Sequence, residues 1–389
     1  MTNLSGAGRS LLAIIPLTLL LTGCWDRREI NDLAIVTAIG LDADPKSKGI
    51  VISAQVYIPM QSSMSGGGIG GTGGTQKNSS VVVSAPGMDI ADATQKLQEK
   101  LSRKLFWGHA KIIIFGEKLA RRGISDTIDY LGRHPGPRER TLVFVCEGNA
   151  SKMISLDPLI ESNTSENLRE MSVMRTGLYV TLLKLEHKSA RSFAIALPWV
   201  KTFTTEGKPH QSVFSQGSAI VKGGKMVGRL SDSATRGLMW VTDSIKDGTI
   251  TTRLVKEDGL VSVALYKSSS ELIPSIHNGQ WQLKIKASAE GNVVENISKL
   301  DMMDVQTINL MQREFEAVIR KRIESALKPL QDQWQADAVG FGKAFHRKYP
   351  QALEQAMSRW EEQFADIKVT YDIHVLIART GFTDKSLSR

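Results

Sequence analysis

The sequence has few of the residues that build covalent or metal-bound sites. Only two of its 389 residues are cysteines, Cys24 and Cys146. Two cysteines cannot supply a disulfide framework or a cysteine-based zinc site. The seven histidines are scattered, and no HExxH, CxxC or GxSxG pattern occurs. We therefore expect no catalytic residues, no metal and no cofactor, and we interpret the protein as non-enzymatic.

The sequence also lacks an apolar run long enough to cross a membrane. The best candidate is Leu11–Leu21, which is uncharged, contains Pro16 and is far shorter than the roughly 20 residues of a transmembrane helix. With Arg9 before it, the run has the proportions of the hydrophobic region of a secretory signal. We predict a signal peptide over residues 1–23.

The end of that run is similar to a bacterial lipobox, formed by Leu21, Thr22, Gly23 and Cys24. At such a site the cysteine thiol is lipidated, and after cleavage the cysteine becomes the first mature residue. We therefore predict that Cys24 carries diacylglyceryl and N-acyl groups, which together anchor a protein stably. The alternative is a cysteine buried in an unprocessed apolar segment. Cys146 lies in the apolar run TLVFVCEG and is predicted to be an inert buried thiol.

The net charge of +9 is concentrated in one part of the chain. Residues 96–140 contain eleven Lys or Arg against five Asp or Glu. Such a cluster favours anionic headgroups when it lies near a membrane anchor. The alternative, a solvated helix face, stays open. Nucleic acid is not an expected partner, because an exported lipoprotein rarely meets it.

A Gly-rich segment spans residues 62–80 and contains a formal GxGxxG pattern at residues 68–73. Dinucleotide binding requires a helix after that pattern, with its N-terminus at the pyrophosphate. Here the strand-like VVVSA follows. We therefore interpret 62–80 as a flexible loop.

Alternating strand and helix patterns predict a mixed α/β (α+β) fold with three domains, each a sheet with flanking helices. The predicted boundaries are 24–190 for an N-terminal α/β domain, 195–275 for a small β-rich middle domain and 280–389 for a C-terminal α/β domain. Gly223-Gly224 predicts a hairpin turn. Apolar residues at helical spacing predict a long helix over 305–328, and single helices are expected over 88–105 and 117–134.

Several stretches resemble the Ger(x)C family, the C-subunit lipoproteins of spore germination nutrient receptors. The first is GCWDRREINDLAIVTAIGLD from Gly23, which is similar to the family's first mature residues. Others are HAKIIIFGEKLARRG from His109 and GSAIVKGGKMVGRLSDSATRGLMW from Gly217. The last contains a Thr-Arg-Gly-Leu turn, in which Arg236 and Gly237 form a possible structural motif. Ala234 stands where an acid is common, so Arg236 lacks that partner if the two pair in relatives.

The resemblance implies a lipid-anchored, non-enzymatic subunit of a germinant receptor that acts with integral-membrane A-type and B-type subunits. It implies a location on the outer face of the cytoplasmic (inner spore) membrane, with nutrient contacted only indirectly, if at all. The alternative is a solute-binding lipoprotein of a transport system, although the chain lacks two similar α/β lobes.

Overall fold

The structure is a computed structural model that describes residues 29–58, 80–134, 136–190, 194–204, 206, 211–253, 259–298, 300–302 and 304–379. Cys24 and the predicted lipobox residues Leu21, Thr22 and Gly23 lie outside these residues, as does the Gly-rich segment up to residue 79. The expectations for them therefore stay predictions.

Nine strands form the first sheet, in the order β3-β2-β1-β5-β6-β7-β8-β9, with β4 beside the start of β1. Their bounds are Leu33–Ala43 (β1), Ile50–Tyr57 (β2), Ser80–Gly87 (β3), Lys104–Phe106 (β4), Ile112–Gly116 (β5), Leu142–Cys146 (β6), Ile195–Thr204 (β7), Gln211–Lys222 (β8) and Lys225–Leu230 (β9). The central strands β1, β5, β6 and β7 run parallel. The outer strands pair antiparallel with their neighbours.

Helices cover both faces of this sheet, which explains its unbroken apolar strands. Every residue of β5 and β6 is buried. Their side chains divide between two apolar clusters, one on each face, as expected for parallel strands that are covered on both sides. The helices that follow these strands are Ile90–Glu99 (α1), Glu117–Arg122 (α2), Ser125–Arg133 (α3), Ala150–Ile154 (α4), Thr164–Val173 (α5) and Leu182–Ala190 (α6).

The second sheet has four strands in the order β10-β11-β12-β13. They are Gly248–Arg253 (β10), Leu260–His277 (β11), Gln280–Asn296 (β12) and Lys368–Arg379 (β13). The remaining helices are Asp232–Val241 (α7), Val305–Lys328 (α8), Phe341–Lys348 (α9), Pro350–Ala356 (α10) and Trp360–Asp366 (α11). Side chains alternate between buried and exposed along β12 and β13, so one face packs on helices and the other faces solvent.

The mixed α+β class is confirmed, and so are two local predictions. The helix predicted over 305–328 has those bounds, with the Asp304 carboxylate accepting the N–H groups of Gln306 and Thr307 at its start. Gly223 and Gly224, both with positive φ, connect β8 to β9. Among the helices of the described residues, none is long and apolar enough to cross a membrane.

Two helix predictions are wrong in extent. The segment predicted as one helix over 117–134 forms α2 and α3, which are separated at Gly123. The φ of Gly123 is +138°, a conformation that ends a helix and that glycine adopts most readily. The helix predicted over 88–105 ends at Glu99, because Lys104–Phe106 pairs in parallel with the start of β1. Local propensity does not reveal this pairing.

The strands of the predicted middle domain, 195–275, are shared between the two sheets. β7, β8 and β9 extend the first sheet, whereas β10 and β11 belong to the second. The boundary expected between 275 and 280 falls at a two-residue turn, Asn278-Gly279, where both residues have positive φ. This turn connects β11 and β12, which pair along nearly their whole length. The division into three domains stays a prediction.

Candidate functional site

One edge of the first sheet lies nearest to the predicted lipid anchor. β1 begins there at Leu33, four positions after Glu29, where the described chain begins. β2 ends at this edge and β3 begins at it, because Val36 pairs with Val56 and Tyr57 pairs with Ser80. The described chain therefore stops before the Gly-rich segment, at Ile58, and resumes after it, at Ser80, on the same edge. We call this edge, with the turns that precede β4, β5 and β6, the anchored edge.

The anchored edge exposes apolar side chains that the body does not bury. Ile30 is 71% exposed, and the exposed fractions of Tyr57, Ile58 and Val81 lie between 39% and 47%. These residues flank the start of β1 and the two ends of the Gly-rich segment. Their position places apolar contact area beside the point where the chain leaves towards Cys24.

The structure divides the basic cluster of residues 96–140 into paired and unpaired side chains. Lys96, Arg121 and Arg133 each form an ion pair with an acid one helical turn away. Lys111 pairs with Glu166, and the Arg122 guanidinium donates to two backbone carbonyls. These five side chains have partners within the protein, so they fit the interpretation of the basic cluster as a solvated helix face.

Four other members of the cluster lie at the anchored edge. Arg103 and Lys104 are exposed beside the start of β1, because Lys104 pairs with Leu33. Arg138 and Arg140 are exposed in the turn before β6, whose Thr141 hydroxyl donates to the Ala110 carbonyl before β5. The edge therefore combines positive charge with the exposed apolar side chains. Counting charges along the chain could not separate these four from the paired ones.

Gly237 lies at a close crossing of α7 and α8. A Cβ on Gly237 would lie 1.8 Å from the Arg322 carbonyl oxygen and 2.8 Å from the Ile323 nitrogen. Only a glycine lets the two helix backbones approach this closely. The neighbouring Thr235 hydroxyl is hydrogen-bonded to the Ser218 hydroxyl of β8 at 2.9 Å. The Thr-Arg-Gly-Leu segment was predicted as a turn after the hairpin; this is wrong, because its four residues form one turn of helix α7, which packs between the first sheet and α8.

Arg236 lies in the same turn and is half-buried. Burial lowers the pKa of Arg322, the positive charge of Arg236 lowers it further, and the negative charge of Asp232 opposes both. Asp232 precedes Arg236 by one turn of α7 and lines a small cleft with it. An acid is therefore close to this pair of arginines even though Ala234 occupies the position where the family resemblance led us to expect one. Sequence reasoning missed Arg322, which lies 86 positions further along the chain.

A clasp connects the β8–β9 hairpin to the C-terminal half. The Lys222 ammonium donates to the Trp334 carbonyl at 2.8 Å and to the Glu361 carboxylate at 2.9 Å. A Cβ on Gly228 would lie 2.0 Å from the Trp334 ring, so the indole rests directly on the hairpin backbone. These contacts, together with the α7–α8 crossing, join the first sheet to the C-terminal half of the chain, which contains the second sheet and α8.

Cys146 is fully buried in β6, and the pKa of its thiol is raised well above its ordinary value, first by burial and then by Asp42. This agrees with the prediction of an inert thiol. His109 is exposed at the anchored edge, where its ring contacts Phe106 edge-on. His374 is exposed on β13 beside Asp372. In the described part of the chain, no group of three or more His, Cys, Asp or Glu could hold a metal ion.

This geometry defines a two-sheet α+β protein, and known proteins share it. The crystal structure of the GerBC protein superposes with a TM-score of 0.59 at 18% identity, covering 87% of this chain and 96% of that one. Two family models match in tandem: the spore germination protein N-terminal domain over residues 26–183, and the spore germination B3/GerAC-like C-terminal domain over residues 216–381.

Relatives match along nearly the whole chain. The putative spore germination protein YfkR of Bacillus subtilis (strain 168) is 28% identical over 96% of this chain and 98% of its own length. Spore germination protein KC of the same organism is 25% identical over 97% of this chain and 98% of its own. The chain belongs to the Ger(x)C family of spore germination proteins.

Proposed function

We propose that this protein is a lipid-anchored, non-enzymatic subunit of a spore germinant receptor. It acts with integral-membrane A-type and B-type subunits on the outer face of the inner spore membrane. Family membership over nearly the whole chain is the observation that carries this proposal.

The anchored edge supports attachment through Cys24. Four residues lie between Cys24 and Glu29, where the described chain begins, so the two Cα atoms are five chain steps and at most about 18 Å apart. Exposed apolar side chains and four basic residues lie at that edge, and basic residues near an anionic bilayer contribute about 1 kcal/mol each. In this proposal the anchored edge faces the headgroups.

The proposed subunit works through contacts with its partners and not through catalysis. The Cys146 thiol is buried, and the paired cations of the N-terminal half contact acids or backbone carbonyls of the protein itself. In this interpretation the nutrient affects the protein through its membrane subunits.

Fractionation of dormant spores tests the anchor. We expect the wild-type protein in the inner spore membrane, and we expect Cys24→Ala to be soluble or lost, with slower nutrient-triggered germination. Cys146→Ala is the matched control, because it removes the other thiol but leaves the anchor. Membrane binding and germination should survive that change.

Two outcomes would contradict the proposal. A Cys24→Ala protein that stays fully membrane-bound and active would show that lipidation is not the attachment. Equal abundance of the wild type in vegetative membranes would instead favour a solute-binding lipoprotein of a transport system.

A further inference from the structure

A concave cleft of about 300 Å³ lies between α6, the start of β7 and the end of α7. Four cationic side chains from separate parts of the chain line it: Arg175, Lys184, Lys188 and Lys246. Within the described residues, none of the four side chains takes part in a hydrogen bond or an ion pair. From this geometry we infer that the cleft binds a small anion with two or more negative charges.

The acids near the cleft are already engaged. The Asp243 carboxylate accepts the backbone N–H of Ser270 at 2.9 Å. Asp337 is 4% exposed and accepts three backbone N–H groups at the start of α9, at 2.6 to 2.9 Å. A buried carboxylate with three such donors has little capacity left for another cation. The cations that line the cleft therefore outnumber the acids that could compensate them.

The lysines lie close enough to one another to raise the cost of their charges. The pKa values of Lys184 and Lys188 are both lowered, first by burial, and Lys343 contributes to both shifts. Asp337 opposes the shift at Lys188 only in part. A bound anion would relieve this repulsion, and it would gain charge-assisted hydrogen bonds from several directions.

Backbone strain is concentrated at the same place. Four non-glycine residues of the described chain have φ in the left-handed region, and two of them, Arg175 and Asp243, line the cleft. Left-handed residues other than glycine are uncommon, although aspartate adopts this conformation more readily than arginine, and such residues cluster at binding sites. Arg175, an exposed residue, thus meets the cleft from a segment of unusual backbone conformation.

The remaining walls suit a small organic ligand. Leu178, Val180, Ile195 and Leu238 supply apolar surface, and the Thr242 and Ser244 side chains add hydroxyl groups. The volume lies at the lower end of ligand pockets, which begin near about 300 Å³ and often lie between domains. A phosphate ester or a di- or tricarboxylate fits this combination of size and charge.

Calorimetric titration of the full chain in detergent tests the inference, with inorganic pyrophosphate and citrate as probes at constant ionic strength. We expect one site per chain for at least one probe, and the stronger probe identifies phosphoryl or carboxylate chemistry. Acetate, with a single charge, should bind much more weakly. The double variant Lys184→Gln/Lys188→Gln should weaken binding by about tenfold or more, since each charge-assisted contact contributes about 1.5–3 kcal/mol.

Lys284→Gln is the matched control, because Lys284 is exposed on the solvent face of β12. It should leave probe binding unchanged. Lys246→Gln provides a second cleft variant on a loop, in case the double variant unfolds. Binding of neither probe by the wild type, or equal binding by wild type and cleft variants, would overturn the inference. Binding of an acidic peptide but of no small anion would also overturn it, because it would mean a macromolecular partner.

Discussion

The two sheets of this protein bury their apolar side chains in different ways. In the first sheet, β5 and β6 are buried at every position because helices cover both faces. In the second sheet, β12 and β13 bury every other side chain, and the opposite face meets solvent. Both sheets contain many apolar strand residues, so the comparison predicts that tolerance to substitution follows the number of covered faces.

The largest expected difference comes from removing one apolar side chain from each sheet. Phe144 of β6 is 1% exposed, and Phe144→Ala should lower the free energy of unfolding by about 3–5 kcal/mol because it leaves a cavity. Leu376 lies on the solvent face of β13 and is 54% exposed, so Leu376→Ala should change it by about 0.5 kcal/mol or less. Denaturant unfolding measures both. Similar effects for the two variants would contradict the comparison.

A smaller effect is expected where the two halves meet. Gly237→Ala should destabilise the protein by about 1–3 kcal/mol, because the added methyl group forces α7 away from the α8 backbone. Gly132→Ala in α3 is the matched control. Its Cβ would meet only the flexible Glu186 carboxylate at 3.3 Å, and the higher helix propensity of alanine favours it by roughly 0.5–1 kcal/mol. A Gly237→Ala protein as stable as the wild type would rule out a backbone contact at this crossing.

The smallest expected effect is a local loss of stability at the start of α8 when the pH is lowered. The N–H of Thr307, and then that of Gln306, lower the pKa of the exposed Asp304 carboxyl at the start of α8. A carboxyl with a lowered folded-state pKa stabilises the protein above its unfolded-state pKa of about 3.9, and this contribution is lost as the pH falls through the folded-state value. Asp304→Asn keeps a helix cap but cannot titrate.

Hydrogen exchange near pH 3 and near neutral pH measures this loss. We expect the first turn of α8 to open in acid in the wild type, and to change less with pH in Asp304→Asn. Asp44 is the corresponding carboxyl in the first sheet. It lies in the turn between β1 and β2, and the Ser47 hydroxyl lowers its pKa. In Asp44→Asn, only the hydrogen exchange of the β1–β2 turn should become less sensitive to acid. Equal acid sensitivity of α8 in Asp304→Asn and in the wild type would contradict the role of this cap.

Features that depend on neighbouring residues were predictable from the sequence. The helix over 305–328, the Gly223-Gly224 turn and the alternating last strand each have a strong local pattern. The Asn278-Gly279 turn also has a local signal, the dipeptide most typical of a tight hairpin, and it was overlooked. Recognising it would have joined β11 and β12 in one sheet.

Features that depend on distant residues were not predictable. The addition of β7, β8 and β9 to the first sheet rests on two residue pairs between β6 and β7. Gly237 was singled out from family resemblance. The requirement for glycine at this position comes from the close approach of the Arg322 backbone in another helix. The anchored edge and the basic cleft each combine side chains from separate segments, so no window of sequence contains them. The predicted lipidation of Cys24, by contrast, rests on the sequence alone.

The clasp at Lys222 gives the molecule the mechanics of a lever. A tether at one edge of the first sheet and a load on the second sheet would act on the same hydrogen-bonded hairpin, with Trp334 resting on its backbone. Rotating one sheet against the other would require this stack to slide and the α7–α8 crossing to open. A force on either sheet would therefore be transmitted to the other through this stack and this crossing.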